Sequence, residues 1–542
     1  MRIKLFILTL FFVTFCSEAQ TLFTEVGEEK GLTYIYPGNE FQMAGGGVLV
    51  IDVNNDGWED LYQAGGVFNS KLWLNQKGQF VDATEAYGLD ILYGYFIQGA
   101  ISADYDNDGY TDMLIVNFGK GIGRGDKHAP ALMHNINGDH FEKIDLINVL
   151  EPGNYASACW GDFNMDGYAD VYLANYVESM GGLRDSTGRE IGYDPVCFKN
   201  KLLINEQGKG FRECAEEYGL DDGGCGLAAS FTDVDNDGDP DLLLLNDFGQ
   251  WTGIGNQYYR NNYPENSFTN VTEETGFGIR MYGMGIGQGD FDNDADLDYY
   301  LTNIGQNYLM KYENGKFRDV AQEMDMDLTF VKDTIRGTSW SGLFFDMEFD
   351  GDLDLYVSKG NVATLVPKTS IKDFNVLFEN REGVFTNVSD SSGVNDFLSH
   401  RGSVVFDFDH DGDLDIVSSV VKLPWGAFYK IDQKIKLFRN DMQVGNWIGV
   451  KLIGVEGINR DCYGCKVVFH ENGKPMIREV DGGSGQASQS TRILYYGLGG
   501  NNKLDQLEVR WLNGSTSFFD QLESGNIYQI TSKGELTVLK QD

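Results

Sequence analysis

The chain has 542 residues, a formal net charge of −40 and 42% hydrophobic residues. It is too long for one small core, and its charge argues against nucleic acid or an anionic membrane surface as partner. With 13% aromatics, 68 glycines and 9 prolines it reads as folded strands joined by glycine turns, not as a disordered acidic tail.

At the N-terminus Arg2 and Lys4 precede the apolar run LFILTLFFVTF, and Ser17-Glu18-Ala19 supplies small residues where a signal peptidase reads. Residues 1–19 are therefore expected to be a signal peptide cleaved before Gln20, and the mature chain to be exported: secreted, periplasmic or cell-surface. Cys16 raises a lipoprotein alternative, which the bulky Phe15 before it disfavours. No later segment approaches the ~20 apolar residues of a membrane span, so no transmembrane helix is expected.

A nine-residue acidic motif then recurs seven times at intervals of 52 to 71 residues. Its positions 1, 3, 5 and 9 are Asp52, Asn54, Asp56 and Asp60; Asp104, Asp106, Asp108 and Asp112; Asp162, Asn164, Asp166 and Asp170; Asp233, Asp235, Asp237 and Asp241. They continue as Asp290, Asp292, Asp294 and Asp298; Asp346, Glu348, Asp350 and Asp354; Asp407, Asp409, Asp411 and Asp415. Oxygens at these positions, with a backbone carbonyl at position 7, make a cage suited to Ca²⁺, up to seven ions in all. The twelfth positions (Gln63, Ile115, Leu173, Leu244, Leu301, Val357 and Ser418) carry no acid, and strand-like runs flank each loop, which excludes a helical EF-hand. Position 6 is glycine except at Ala295, where a positive φ would add on the order of 1 kcal/mol of strain.

Around each loop the same order repeats: an apolar first strand (GGGVLVID), a second (DLYQAG), a third (KLWLN, KLLIN, VLFEN) and a closing segment (FVDATEAYGL, FRECAEEYGL, FTNVTEETGF). Four strands per unit and seven units predict an all-β, seven-bladed β-propeller over residues 20–444. The closing segment also occurs first, as FTEVGEEKGL, while the seventh unit lacks one. The N-terminal strand should complete the last blade and close the ring. These units resemble FG-GAP/VCBS-type repeats, the calcium-loop blades also found in integrin α-subunit propellers.

Residues 445–542 read as a separate small β domain of alternating strands and glycine turns. Asn446, Trp447, Asn459, Arg460, Asp461, Gly464, Gly497 to Gly499 and Val509 to Trp511 make it similar to the ASPIC/UnbV domain. Repeats followed by this domain resemble the cartilage acidic protein family and its bacterial secreted relatives. Cys462 and Cys465 depart from that pattern. They read as a local disulfide or as buried thiols, and the six mature cysteines leave the pairing open.

Long connections fall opposite the acidic loops and carry Tyr155, Trp251, Tyr282, Arg336, Trp340, His400, Arg401 and Trp425, a candidate face for sugars or anionic groups. The competing reading is that these side chains pack the loops. Arg124-Gly125-Asp126 is a triplet that chance readily produces. No G-x-S-x-G, H-E-x-x-H or P-loop motif is present. The expected function is a calcium-binding module for a glycan or an extracellular protein. The alternative is an extracytoplasmic lyase, dehydratase or hydrolase acting at the propeller funnel on a sugar or secondary metabolite.

Overall fold

A computed structural model describes residues 21–36, 45–66, 68–119, 128–332, 335–362, 368–370, 372–422 and 433–539. The expected signal peptide with Cys16, the Arg124-Gly125-Asp126 triplet and Trp425 lie outside them.

Short apolar-rich runs, broken by glycine turns, give seven four-stranded antiparallel sheets. In the second, Ile97–Ala103, Asp112–Asn117, Ala131–Ile136 and His140–Asp145 lie side by side in chain order. Burial falls outward: every residue of Ile97–Ala103 is buried, while in His140–Asp145 only Phe141 is. Each first strand contacts the first strand of the next sheet, and His400–Phe406 returns to Val48–Ile51, so the first strands form a closed inner ring. Glycine permits that approach: a Cβ on Gly161 would lie 2.6 Å from Phe231 Cβ of the next blade. Phe23–Glu25 pairs with Lys436–Asn440, Phe23 opposite Asn440, and completes the seventh sheet as the phase of the repeat predicts.

The closing segments are not strands throughout. Phe211–Glu213 gives way to one helical turn, Ala215–Tyr218, which Gly219 ends at φ 69°. Thr272–Thr275 and Ser389–Ser392 repeat this, ending at Gly276 and Gly393. A left-handed glycine closes a helical turn without the penalty a Cβ would impose, so the glycine of these segments marks a helix end.

Beyond the ring, Leu494–Gly499, Asn446–Ile453, Asn526–Thr531 and Leu536–Leu539 form one sheet, with Asn446–Ile453 parallel to Asn526–Thr531. Lys474–Glu479, Lys466–Glu471, Lys503–Arg510 and Thr516–Glu523 form another. One apolar cluster runs from blade residues such as Leu114, Trp160 and Val171 into Ile448, Val467, Leu507 and Trp511. A disulfide joins Cys197, on the hairpin Val177–Arg184/Glu190–Cys197, to Cys225 at the start of the fourth blade. Of the two readings of Cys462 and Cys465, the structure has buried thiols.

Candidate functional site

All seven acidic motifs link the first and second strands of a blade, and they fold alike. Position 4 (Asn55, Asn107, Met165, Asn236, Asn293, Phe349 and His410) has φ between 54° and 61° in every loop. Position 6 is also left-handed, at φ 90° to 102° for the six glycines and 70° for Ala295. This double reversal aims backbone N–H groups inward. The position-6 N–H donates to the position-1 carboxylate in all seven loops at 2.8–3.1 Å. The position-7 N–H donates to the position-5 carboxylate at 2.8–3.3 Å. Short acidic side chains that accept from N–H groups a few residues on are what stabilise such turns.

The position-9 aspartate is fixed by a residue the motif does not contain. One oxygen accepts the backbone N–H of Asn75, Asn135, Asn205, Asn261, Tyr312, Asn380 or Asn440, on the third strand of the same blade, at 2.7–2.9 Å. Except in the fifth blade, where Tyr312 stands, the asparagine Nδ2 donates at 2.8 Å to the position-2 carbonyl of the preceding blade's loop. Asn75 thereby reaches Phe408 and ties the first blade to the seventh. The recurring N at the end of KLWLN, KLLIN and KLFRN was the sequence signal for this link.

The carboxylates crowd together. Asp104, Asp106 and Asp112 have oxygens within 4.8 Å of one another, as do Asp233, Asp235 and Asp241, Asp290, Asp292 and Asp294, and Asp346, Glu348 and Asp354. Burial, ahead of every other cause, pushes Asp104 up to about 6, Asp162 to about 7 and Asp346 and Asp407 to about 8. It raises the position-9 residues Asp60, Asp170, Asp241, Asp298 and Asp415 well above the usual carboxylate range. One buried oxygen each of Asp235, Asp292, Asp298 and Asp409 accepts no hydrogen bond from the described residues. Desolvated carboxylate oxygens that converge without donors fit a hard divalent cation.

His134, which the sequence reading did not single out, stands 3.3 Å from Asp106 through Nε2 and forms a three-ligand group with Asp106 and Asp108. His410 stacks on Trp58 at 3.7 Å between ring centroids, which keeps its imidazole out of its own loop.

The C-terminal sheets cover this face. Arg460 Nε lies 3.0 Å from Asp104, and Lys466 Nζ 2.9 Å from Asp233. The N–H groups of Ile477 and Gly497 donate to Asp290 and Asp346 at 3.1 and 3.2 Å. Asp461 accepts the backbone N–H of Asp104 at 2.6 Å. A cavity of about 310 Å³ remains between the first two loops and Lys451, Arg460, Asp461 and Arg492. Segment 481–491 (DGGSGQASQST) enters the ring: Val48 N–H donates to Ser488 Oγ, Ser102 N–H to Gln489, Trp160 N–H to Gly482 O, Ile286 N–H to Ser484 O and Val405 N–H to Ser490 Oγ. Contact with first strands of five blades puts this segment on the propeller axis.

The candidate ligand face divides. Arg401 is fully buried over the Trp340 ring at 4.1 Å, donating to Ser399 and to the His400 and Asn361 carbonyls. His400 Nδ1 pairs with Ser418 Oγ at 2.8 Å, and Trp340 donates to Gly360 O. Trp251 donates to the Tyr282 hydroxyl at 2.7 Å, and Tyr155 is buried with its hydroxyl on Glu151 O. Trp251 and Arg336 are partly exposed.

Comparison with known proteins matches the FG-GAP-like repeat to residues 44–115, 233–301 and 290–357, and the ASPIC and UnbV family to residues 455–537. The chain carries FG-GAP-like repeats and an ASPIC and UnbV domain. Cartilage acidic protein 1 of Xenopus tropicalis is 24% identical over 86% of this chain and 70% of that protein. The Homo sapiens protein of that name is 23% identical over 95% and 76%. Among solved structures, an Agrocybe aegerita lectin recognising non-reducing terminal N-acetylglucosamine aligns over 69% of this chain and 88% of its own, at 15% identity and a TM-score of 0.38, too loose a likeness to bear on the ligand. The FG-GAP-type loops Asp162–Asp170 and Asp407–Asp415 lie outside the matched segments, yet their position-1 and position-5 hydrogen bonds are those of the other five.

Proposed function

We propose that this FG-GAP-repeat protein is an exported Ca²⁺-stabilised propeller that binds a glycan or an extracellular protein through the face opposite its ASPIC and UnbV domain. The observation that carries the calcium reading is the convergence of donor-less carboxylate oxygens in loops of one shared geometry. The residues that would hold the ions are those at positions 1, 3, 5 and 9, with the position-7 carbonyl. Bound cations would neutralise the repulsion within each loop and make metal binding part of the folding free energy. Export rests on the leader-like N-terminus, and among the described residues no helix is long and apolar enough to cross a membrane.

The choice of face follows from coverage. The ASPIC and UnbV domain lies on the acidic loops and segment 481–491 fills the axis from that side, which leaves the long connections of the opposite face for a partner. Elemental analysis of the purified chain, with melting curves in calcium and in chelator, tests the scaffold. Several ions per chain and a lower melting temperature in chelator are expected. Fewer than about four ions, or an unchanged melting temperature, would sink it. A glycan array run on the same material tests the binding face, and binding lost on substituting Trp251 or Arg336 would locate it.

A further inference from the structure

The third strand presents one more side chain to each acidic loop, at the position just before the residue that anchors the position-9 aspartate. In blade order these are Leu74, His134, Ile204, Arg260, Lys311, Glu379 and Arg439. Because the following N–H is held on that aspartate in all seven blades, their register against the loop is constant. In the second and fifth blades this side chain meets positions 3 and 5. His134 Nε2 lies 3.3 Å from Asp106 and 3.9 Å from Asp108. Lys311 Nζ contacts Asp292 directly and lies 3.1 Å from Asp294, with only 16% of its side chain exposed. Arg439 is drawn aside onto Asp441, at 2.5 and 2.8 Å.

The fifth loop departs from the others in two further ways. Ala295 replaces the position-6 glycine at φ 70°, and Tyr312 replaces the anchoring asparagine, so the side-chain link to the preceding blade is not made. These two substitutions stand in the same repeat as an ammonium, Lys311, placed between two would-be ligands.

We propose that this third-strand position can select the cation of a loop, and that in the fifth loop the selected cation is the Lys311 ammonium itself. The inference rests on the calcium reading of the other loops. A divalent ion and an ammonium cannot share the carboxylates of Asp292 and Asp294, because their repulsion at such a separation is strong wherever water is partly excluded. The tethered ammonium has the advantage of being always present, and it neutralises the loop whatever the calcium concentration. Leu74 and Ile204 put no charge at this position, so the first and third loops remain open to Ca²⁺. The fifth loop therefore takes no Ca²⁺ while Lys311 is in place.

The test compares the full-length wild type with Lys311→Met, both equilibrated with Ca²⁺, by elemental analysis and by melting curves. The variant is expected to hold one more Ca²⁺ per chain. In chelator it should melt below the wild type, and added Ca²⁺ should close that gap. Equal ion counts in the two proteins would overturn the proposal. If the wild type holds no Ca²⁺ and the variant holds one, the calcium reading of the other loops fails and the selector stands; none on either overturns the selector too. Should Lys311→Met not fold, Leu74→Lys places an ammonium at the first loop. It should lower the wild-type count by one, and an unchanged count would overturn the proposal.

Discussion

Ala295 holds a backbone conformation that the six equivalent glycines adopt freely, at φ 70°. Ala295→Gly relieves that strain and should stabilise the protein by up to about 1 kcal/mol in denaturant melts. Asn135 is the opposite case: its Nδ2 donates to Val53 O and Thr111 O, and its Oδ1 accepts Gly138 N–H. Asn135→Ala leaves those buried groups unpaired and should destabilise by ~1–3 kcal/mol, again read by denaturant melts. The carboxylates of the loops were legible from sequence because each set falls within nine residues. Asn135 was not, because one of its partners stands 82 residues away in the preceding blade.

Each strand–loop–strand element stores electrostatic strain when no cation is bound. The position-1 carboxylates Asp104, Asp162, Asp346 and Asp407 have folded-state values of about 6, 7, 8 and 8, above the ordinary 3.8, because burial disfavours their charge. Groups raised in the folded state contribute stability below their unfolded value and lose it as pH rises through the folded one. In chelator the melting temperature should consequently fall between pH of about 4 and about 8. Saturating Ca²⁺ should remove or reverse that slope, since its carboxylate ligands bind it deprotonated. A chelated protein that gains stability over this window would contradict the account. At this scale sequence periodicity located the strands, but it read the closing segments as strands alone. The helical turn in them depends on a left-handed glycine, which period-2 patterning does not register.

The segment on the axis packs the C-terminal domain against the ring. Gly482 packs so tightly that a Cβ there would lie 1.9 Å from Trp160 O, and one on Gly47 would lie 2.0 Å from Ala487 O. Gly482→Ala should unseat the segment and destabilise by ~1–3 kcal/mol, with faster amide exchange along 481–491 as the measurement. Exchange and stability both unchanged would mean that the segment does not brace the ring. An axis filled from the acidic-loop side also narrows where any ligand can enter the funnel that the sequence offered as an alternative reaction site.

By itself the sequence determined the repeat number, the acidic loops and the place of the N-terminal strand in the last blade, since each is written within one repeat or in the phase between repeats. Only the tertiary structure decided which distant residues complete those loops: the asparagine links, the Lys311 ammonium and the segment that meets Val48 from 440 residues away. Local spacing fixes a turn and its oxygens. What neutralises them, braces them or covers them comes from other strands, and their approach is set by ring closure and packing that no short stretch of sequence carries.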